Sequence, residues 1–187
     1  CVTSTSAGRL FDAVSAILGI RNSSSFEGEA SMYLEFAAEF WEKDAAADEL
    51  RSLTEMSSHG DIFRGTAKDS GGPEAAAFTL PTEQLVRQIT EQHLQGVCIG
   101  RLAYEFHCRL AGQILAGCLE AQKLTGLSTA ALSGGVFQNQ LLLRLCTRRL
   151  RESGFRVLLH SLIPPNDGGI ALGQAAAAMQ QYKENTD

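Results

Sequence analysis

The chain has 187 residues, a formal net charge of -5 and a sequence pI of about 5.4. Hydrophobic residues make up 44% and charged residues 20%, which supports a packed core and argues against disorder. The acidic balance disfavours a nucleic-acid partner, and no apolar stretch reaches the roughly 18 residues of a membrane span.

The opening segment, Cys1 to Ser6, carries no charge and does not read as a signal peptide. The missing initial Met suggests a cut from something longer, or a removed tag. The five cysteines are Cys1, Cys98, Cys108, Cys118 and Cys146. Their odd number and the absence of C-x-x-C predict isolated buried thiols in a reducing compartment, with the cytoplasm as the default location.

In chain order, Ser4, Thr5 and Ser6 offer N-caps for a first helix that Gly19 ends. Leu10, Phe11, Val14, Ile17 and Leu18 form its apolar stripe. At 100° per residue Asp12 falls almost opposite, one turn after Gly8. A solvated aspartate and a ligand-facing one share that position. A second helix is predicted from about Gly28 to Ala47, burying Met32, Leu34, Phe36, Ala37, Phe40 and Trp41. Its Ala- and acid-rich tail, Asp44 to Glu49, reads as solvated. Glu27 and Glu29 lie at its start, where the helix dipole favours acids.

Turn signals at His59-Gly60 and Ser70 to Pro73 flank two short strands, Asp61 to Arg64 and Ala75 to Leu80. Two more helices follow, about Glu83 to Leu94 and Val97 to Leu124. His107 beside Phe106 reads as a hydrogen-bonded core histidine. The last third is a series of strand (Ser128 to Leu132), glycine loop, helix (Asn139 to Ser153), strand (Phe155 to His160), glycine loop and helix (Ile170 to Tyr182), an α/β pattern. Arg144, Arg148, Arg149 and Arg151 read as a solvated basic face, and Ala175 to Ala178 as a close-packed one.

Both loops suit ligands, because open α/β sheets bind them beyond the carboxyl ends of strands. In Ser133-Gly134-Gly135-Val136-Phe137-Gln138-Asn139 the glycines let backbone approach a ligand, and a helix start favours an anion. A plain tight connection reads equally well. The spacing matches neither a Walker A loop nor G-x-G-x-x-G. In Asn166-Asp167-Gly168-Gly169 the carboxylate of Asp167 is either an N-cap or a metal ligand.

Four segments together carry a resemblance. Thr5 to Val14 resembles "SxGRLFDAVAALLG", Phe26-Glu27-Gly28-Glu29-Ala30 resembles "YEGEA", Ser133 to Asn139 resembles "SGGVFxN", and Pro165 to Gln174 resembles "PxxDGGxxLGQ". All four belong, in this order, to the HypF family of hydrogenase-maturation carbamoyltransferases. The resemblance implies the second, C-terminal lobe of an α/β domain of the actin-like ATPase, ribonuclease H-like type: a mixed sheet with flanking helices and an inserted helical part. Residues 1–125 would be its mainly helical, nucleotide-facing part, and 126–187 its strand–glycine loop–helix core.

The family uses carbamoyl phosphate and ATP to form carbamoyl adenylate. It passes the carbamoyl group to the C-terminal cysteine of HypE, toward the cyanide ligands of [NiFe] hydrogenase. The resemblance then implies that Asp12 and Glu29, beside Gly8, hold the ribose and that Asn139 touches the nucleotide. Ser133, Gly134 and Gly135 would face the phosphate or acyl phosphate. Asp167 would be one ligand of a divalent metal (iron, zinc or magnesium). The H-x-x-x-H motif that supplies the family's other metal ligands is absent here, as are its zinc fingers. The rest of the HypF chain is therefore an expected partner, and the isolated lobe is expected to be inactive. The alternatives are the matching lobe of a tRNA threonylcarbamoyladenosine synthase, which carries "GGVAAN" where this chain has Gly135 to Asn139, and a non-catalytic nucleotide-binding module.

Overall fold

The computed structural model of the chain describes residues 6–56, 63–64 and 78–184. The turn signals at His59-Gly60 and Ser70 to Pro73, and Cys1, lie outside them. Helix α1 (Ala7–Ile17) buries Phe11 and Val14 completely, as the stripe predicts, and Leu18 just beyond it is equally buried. Ser6 stands at its N-cap but makes no side-chain cap bond, so the expected serine cap is not formed there.

Helix α2 (Glu29–Asp44) is shorter than predicted, because Ala45 turns extended. The acid-rich tail then starts a separate helix, α3 (Ala47–Met56), with Asp48 and Glu49 in its first turn, where the dipole favours them. Its Leu53 is buried. Phe36 and Phe40 correct the expected core: they are 48% and 73% exposed. Leu34, Ala38 and Trp41 share one face of α2, and Phe36 and Phe40 fall on the other. The inner face meets helix α5 (Ile99–Thr125) so closely that a Cβ on Gly100 would stand 2.8 Å from Trp41 Cβ.

Helix α5 is the central element. It packs against α2, α3, helix α4 (Thr82–Leu94) and helix α6 (Gln140–Glu152), and it is buried around most of its girth. Leu102, Phe106 and Leu110 join Phe11, Leu34, Leu85, Leu132 and Leu145 in one core cluster. The strands β3 (Thr129–Leu132) and β4 (Arg156–Leu159) pair in parallel, from Thr129↔Arg156 to Leu132↔Leu159. Parallel pairing needs a crossover, which α6 supplies.

The expected single mixed sheet is a correction. Among the described residues, β1 (Phe63–Arg64) and β2 (Phe78–Thr79) pair antiparallel with each other and do not join β3 and β4. The chain is an α/β unit, mostly helical, with a small parallel sheet.

The basic face is also reduced. Arg149 is buried and donates to the Thr54 carbonyl at 2.8 Å, tying α6 to α3. Arg144 pairs with both carboxylate oxygens of Glu42, at 3.0 and 2.6 Å. Cys108 and Cys146 are buried free thiols, whereas Cys98 is exposed. Helix α7 (Ile170–Glu184) buries none of its residues, and Leu172, Met179 and Tyr182 are largely exposed. The run Ala175 to Ala178 is therefore not close-packed against this chain. Among the described residues, no helix is long and apolar enough to cross a membrane.

Candidate functional site

Because β3 and β4 are parallel, both glycine loops leave the same edge of the sheet. They meet there: the Gly134 N–H donates to the Pro165 carbonyl at 2.8 Å. Gly134 adopts φ +101, a region that favours glycine. Gly135 begins a 3-10 turn, Gly135–Gln138, and a Cβ there would meet nothing within 4 Å. The fold thus explains the first glycine and leaves the second without a structural reason. Ser133 is exposed beside them, with its Oγ 2.8 Å from His160 Nε2.

The start of α6 is not open to an anion, contrary to the sequence-based expectation. Glu35 Oε1 accepts from the N–H groups of Gln140 at 2.6 Å and Leu141 at 3.1 Å, and Asn139 Oδ1 accepts from Leu142 at 2.7 Å. The first three N–H groups of the helix are taken by the chain itself. Burial pushes the Glu35 carboxyl above the usual carboxylate range, against the lowering pull of those two N–H groups.

Asn139 is buried, and its other amide atom, Nδ2, lies 3.0 Å from His107 Nε2. His107 is fully buried, with Nδ1 2.7 Å from the Ala103 carbonyl. A proton on Nδ1 satisfies both contacts: Nδ1 donates to Ala103, and Nε2 accepts from Asn139. Burial lowers the His107 pKa to about 4, so the ring is neutral. Phe11 packs edge-on to this ring at 5.3 Å between centroids. Phe11, His107 and Asn139 therefore link α1 to the first glycine loop.

Gly8 is exposed, and a Cβ there would only reach Ser6 Oγ at 3.7 Å, an ordinary contact. The Asp12 side chain is 35% exposed and pairs with Arg9 at 3.2 Å. Glu29, the first residue of α2, is buried. Its Oε2 accepts from the Ser25 N–H at 2.6 Å and the Ser25 hydroxyl at 2.9 Å, and Arg21 stands 2.8 Å from Oε1. The Ser25 donors first, then the Arg21 charge, hold its carboxyl below the usual carboxylate range. Arg21 in turn lies over the Tyr33 ring at 4.1 Å.

Asp167 is exposed at the start of the 3-10 turn Asp167–Gly169. The cap of that turn is Asn166, whose Oδ1 accepts from the Gly168 N–H at 3.1 Å. The capping alternative for Asp167 therefore falls away. Among the described residues no hydrogen bond or ion pair engages its carboxylate, and no cluster of three His, Cys, Asp or Glu residues could hold a metal.

Sequence reasoning missed Glu35, Ser25, Arg21 and His160. The only local sign of Glu35 was a carboxylate beside Leu34 on a buried stripe. In the sequence His160 reads as the last residue of a strand and forms no H-x-x-x-H pair.

Residues 1–174 match the family model described as "Carbamoyltransferase, Kae1-like Domain, second subdomain". The chain is 36% identical to Carbamoyltransferase HypF2 of Cupriavidus necator over 95% of its own length and 22% of that protein's. It is 33% identical to Carbamoyltransferase HypF of Rhizobium leguminosarum bv. viciae, over 94% and 20%. It resembles a crystal structure of full-length HypF in its phosphate- and nucleotide-bound form, with TM-score 0.72 and 34% identity over 92% of this chain and 20% of that one. The fold also matches that of T. kodakarensis HypF, with TM-score 0.67 at 24% identity. The chain thus spans about a fifth of the length of these relatives. On the family match and these likenesses together, the chain belongs to the HypF carbamoyltransferase family, within the second subdomain of its Kae1-like domain.

Proposed function

We propose that this chain forms one side of a nucleotide-dependent carbamoyl-transfer site, in an actin-like ATPase lobe completed by the rest of a HypF chain. The observation that carries this reading is the docking of the two glycine loops at one sheet edge, Gly134 N–H to Pro165 O at 2.8 Å. That contact sets Ser133 and Gly135 beside the loop that bears Asp167. A similar solved HypF binds phosphate and nucleotide.

In this reading carbamoyl phosphate, ATP and water yield carbamoyl adenylate with release of phosphate and pyrophosphate, and the carbamoyl group passes to the C-terminal cysteine of HypE with AMP as the leaving group, as a cyanide precursor for [NiFe] hydrogenase. Each residue has a task that its surroundings support. Asp12 and Glu29 accept from ribose hydroxyls. Glu29 is held rigid by Ser25 and Arg21, and a carboxylate with three fixed donors retains a lone pair for a fourth. Gly8 leaves bare backbone beside Asp12. The open backbone at Gly135 lets an acyl phosphate approach, and Ser133 donates to it. The nucleotide contact that the resemblance implies for Asn139 would have to be made beside its present bonds, since both amide atoms are engaged in the core; there it fixes where the loop sits.

Asp167 suits one position on a divalent metal, because its carboxylate is exposed and unpaired among the described residues. A complete site takes roughly four to six donors. Among the described residues no group of three His, Cys, Asp or Glu stands together, so the remainder would come from elsewhere in the protein. The metal would there stabilise developing negative charge. Held apart from that partner surface, the chain would not bring acyl donor, acceptor and electrostatic clamp together, and it would have little or no activity.

The test is label transfer by the full-length protein. Radiolabelled carbamoyl phosphate, ATP and HypE should yield label on the terminal cysteine of HypE. Transfer without ATP, or onto HypE with that cysteine replaced, would refute the reading.

A further inference from the structure

His160 has no role in the site so far described, yet its position is fixed with some care. The parallel register pairs Leu132 with Leu159. Ser133 and His160 are the next residues on each strand, so they stand side by side at the carboxyl edge of the sheet. Both are exposed, and His160 Nε2 lies 2.8 Å from Ser133 Oγ. The backbone on the far side of Ser133 is pinned as well, by the Gly134 N–H on Pro165 O at 2.8 Å. A serine with a fixed backbone retains two rotations, about Cα–Cβ and about Cβ–Oγ, and the imidazole restricts the first by holding Oγ in place.

We propose that His160 is a positioning residue that orients the Ser133 hydroxyl toward a phosphoryl oxyanion bound over the glycine loop. The inference rests on the carbamoyl-transfer reading above. The chemistry follows from hydrogen-bond counting. A serine hydroxyl has one hydrogen and two lone pairs. With the imidazole proton on Nε2, His160 donates to Ser133 Oγ and occupies a lone pair. The hydroxyl hydrogen is then left free to point away from His160, and the neighbouring Gly135 backbone is uncrowded: a Cβ there would meet nothing within 4 Å. A preorganised donor there serves an anion without reorganising when it arrives. The oxyanion is either an ATP phosphate or the phosphate of carbamoyl phosphate.

The experiment measures carbamoyl-phosphate-dependent pyrophosphate release from ATP by the full-length protein. Variants are Ser133→Ala, His160→Ala, His160→Gln and the Ser133→Ala/His160→Ala double. KM is determined for ATP and for carbamoyl phosphate separately. His160→Ala should raise one KM by about tenfold, the effect of one well-placed hydrogen bond, and the substrate affected identifies the oxyanion. His160→Gln, which can present an amide N–H near the Nε2 position, should restore most of the loss. In the Ser133→Ala background, His160→Ala should add nothing. The proposal is overturned if the two substitutions add independently, if neither KM moves, or if His160→Ala lowers only thermal stability. In those cases Ser133→Ala can still impair turnover, which leaves the carbamoyl-transfer reading standing. No pyrophosphate release by the wild-type protein refutes both.

Discussion

Asn139 and His107 are joined through Asn139 Nδ2 and His107 Nε2 at 3.0 Å, inside the core and directly beneath the first glycine loop. The same asparagine caps α6 through Oδ1. One side chain thus fixes a helix start, a histidine tautomer and the position of the loop.

Asn139→Ala removes the cap and leaves His107 Nε2 buried without its partner. The two losses should together cost ~2–4 kcal/mol of unfolding free energy in denaturant titration. Glu35→Ala strips the acceptor from two N–H groups of the same helix and should cost ~1–3 kcal/mol. A loss below ~0.5 kcal/mol in both would mean that α6 does not depend on these caps.

The buried histidine makes stability depend on pH. Its folded pKa, about 4, lies below its ordinary 6.5. The unfolded state binds the proton more readily between those values. The contribution of neutral His107 is therefore complete above pH 6.5 and is lost as pH falls toward 4, by ~3 kcal/mol across the window. Glu35, pushed up by burial, acts in the opposite sense: its share falls as pH rises through its raised pKa. Denaturant curves of wild type and His107→Gln, compared over this window, isolate the histidine. The difference between them should shrink on acidification, and a constant difference would contradict the neutral ring.

The parts of the site that depend on neighbours in sequence were legible beforehand. The Ser133 to Asn139 and Asn166 to Gly169 loops, and the strands before them, are local patterns of glycine and β-branched or apolar residues. Their meeting follows from parallel pairing. The long-range partners were not legible. Glu35 reaches a helix 105 residues away, and nothing in a carboxylate's own neighbourhood reveals which N–H groups it meets. The period of α2 also misled, since Phe36 and Phe40 are large and apolar yet lie away from α5. Helix α3 was hidden because its acids and alanines read as a solvated tail. Helix α7 shows the reverse: its apolar residues suit burial, but among the described residues none of them is buried.

Gly135→Ala should leave stability within ~0.5 kcal/mol, since its Cβ meets open space. Gly134→Ala should cost ~1–2 kcal/mol, because a left-handed backbone is strained for alanine. On the proposed reading, Gly135→Ala in the full-length protein should nevertheless slow carbamoyl-phosphate-dependent pyrophosphate release by ~10- to 100-fold, as expected when a reacting group is displaced by about an ångström. Unchanged turnover would show that the loop does not approach substrate.

Asp12→Ala in the full-length protein should raise the apparent Kd for ATP about tenfold, the loss of one charge-assisted hydrogen bond of ~1.5 kcal/mol. Its pair with Arg9 is exposed and contributes at most ~1 kcal/mol, so the fold should survive. Calorimetric titration with ATP checks this. Unaltered affinity in a folded variant would remove Asp12 from the nucleotide site.

The most direct test of the proposed shared site is Asp167→Asn in the full-length protein, measured by carbamoyl-phosphate-dependent pyrophosphate release alongside thermal unfolding. Asn166, not Asp167, caps the turn, and no partner within the described residues holds the Asp167 carboxylate. Removing its charge should therefore leave the unfolding midpoint where it was. Release should fall by ~100-fold or more, because a metal ligand and its charge are lost. Full turnover by Asp167→Asn, or a loss of activity matched by a loss of stability, would contradict the assignment of Asp167 as a ligand contributed to a site shared with the rest of the protein.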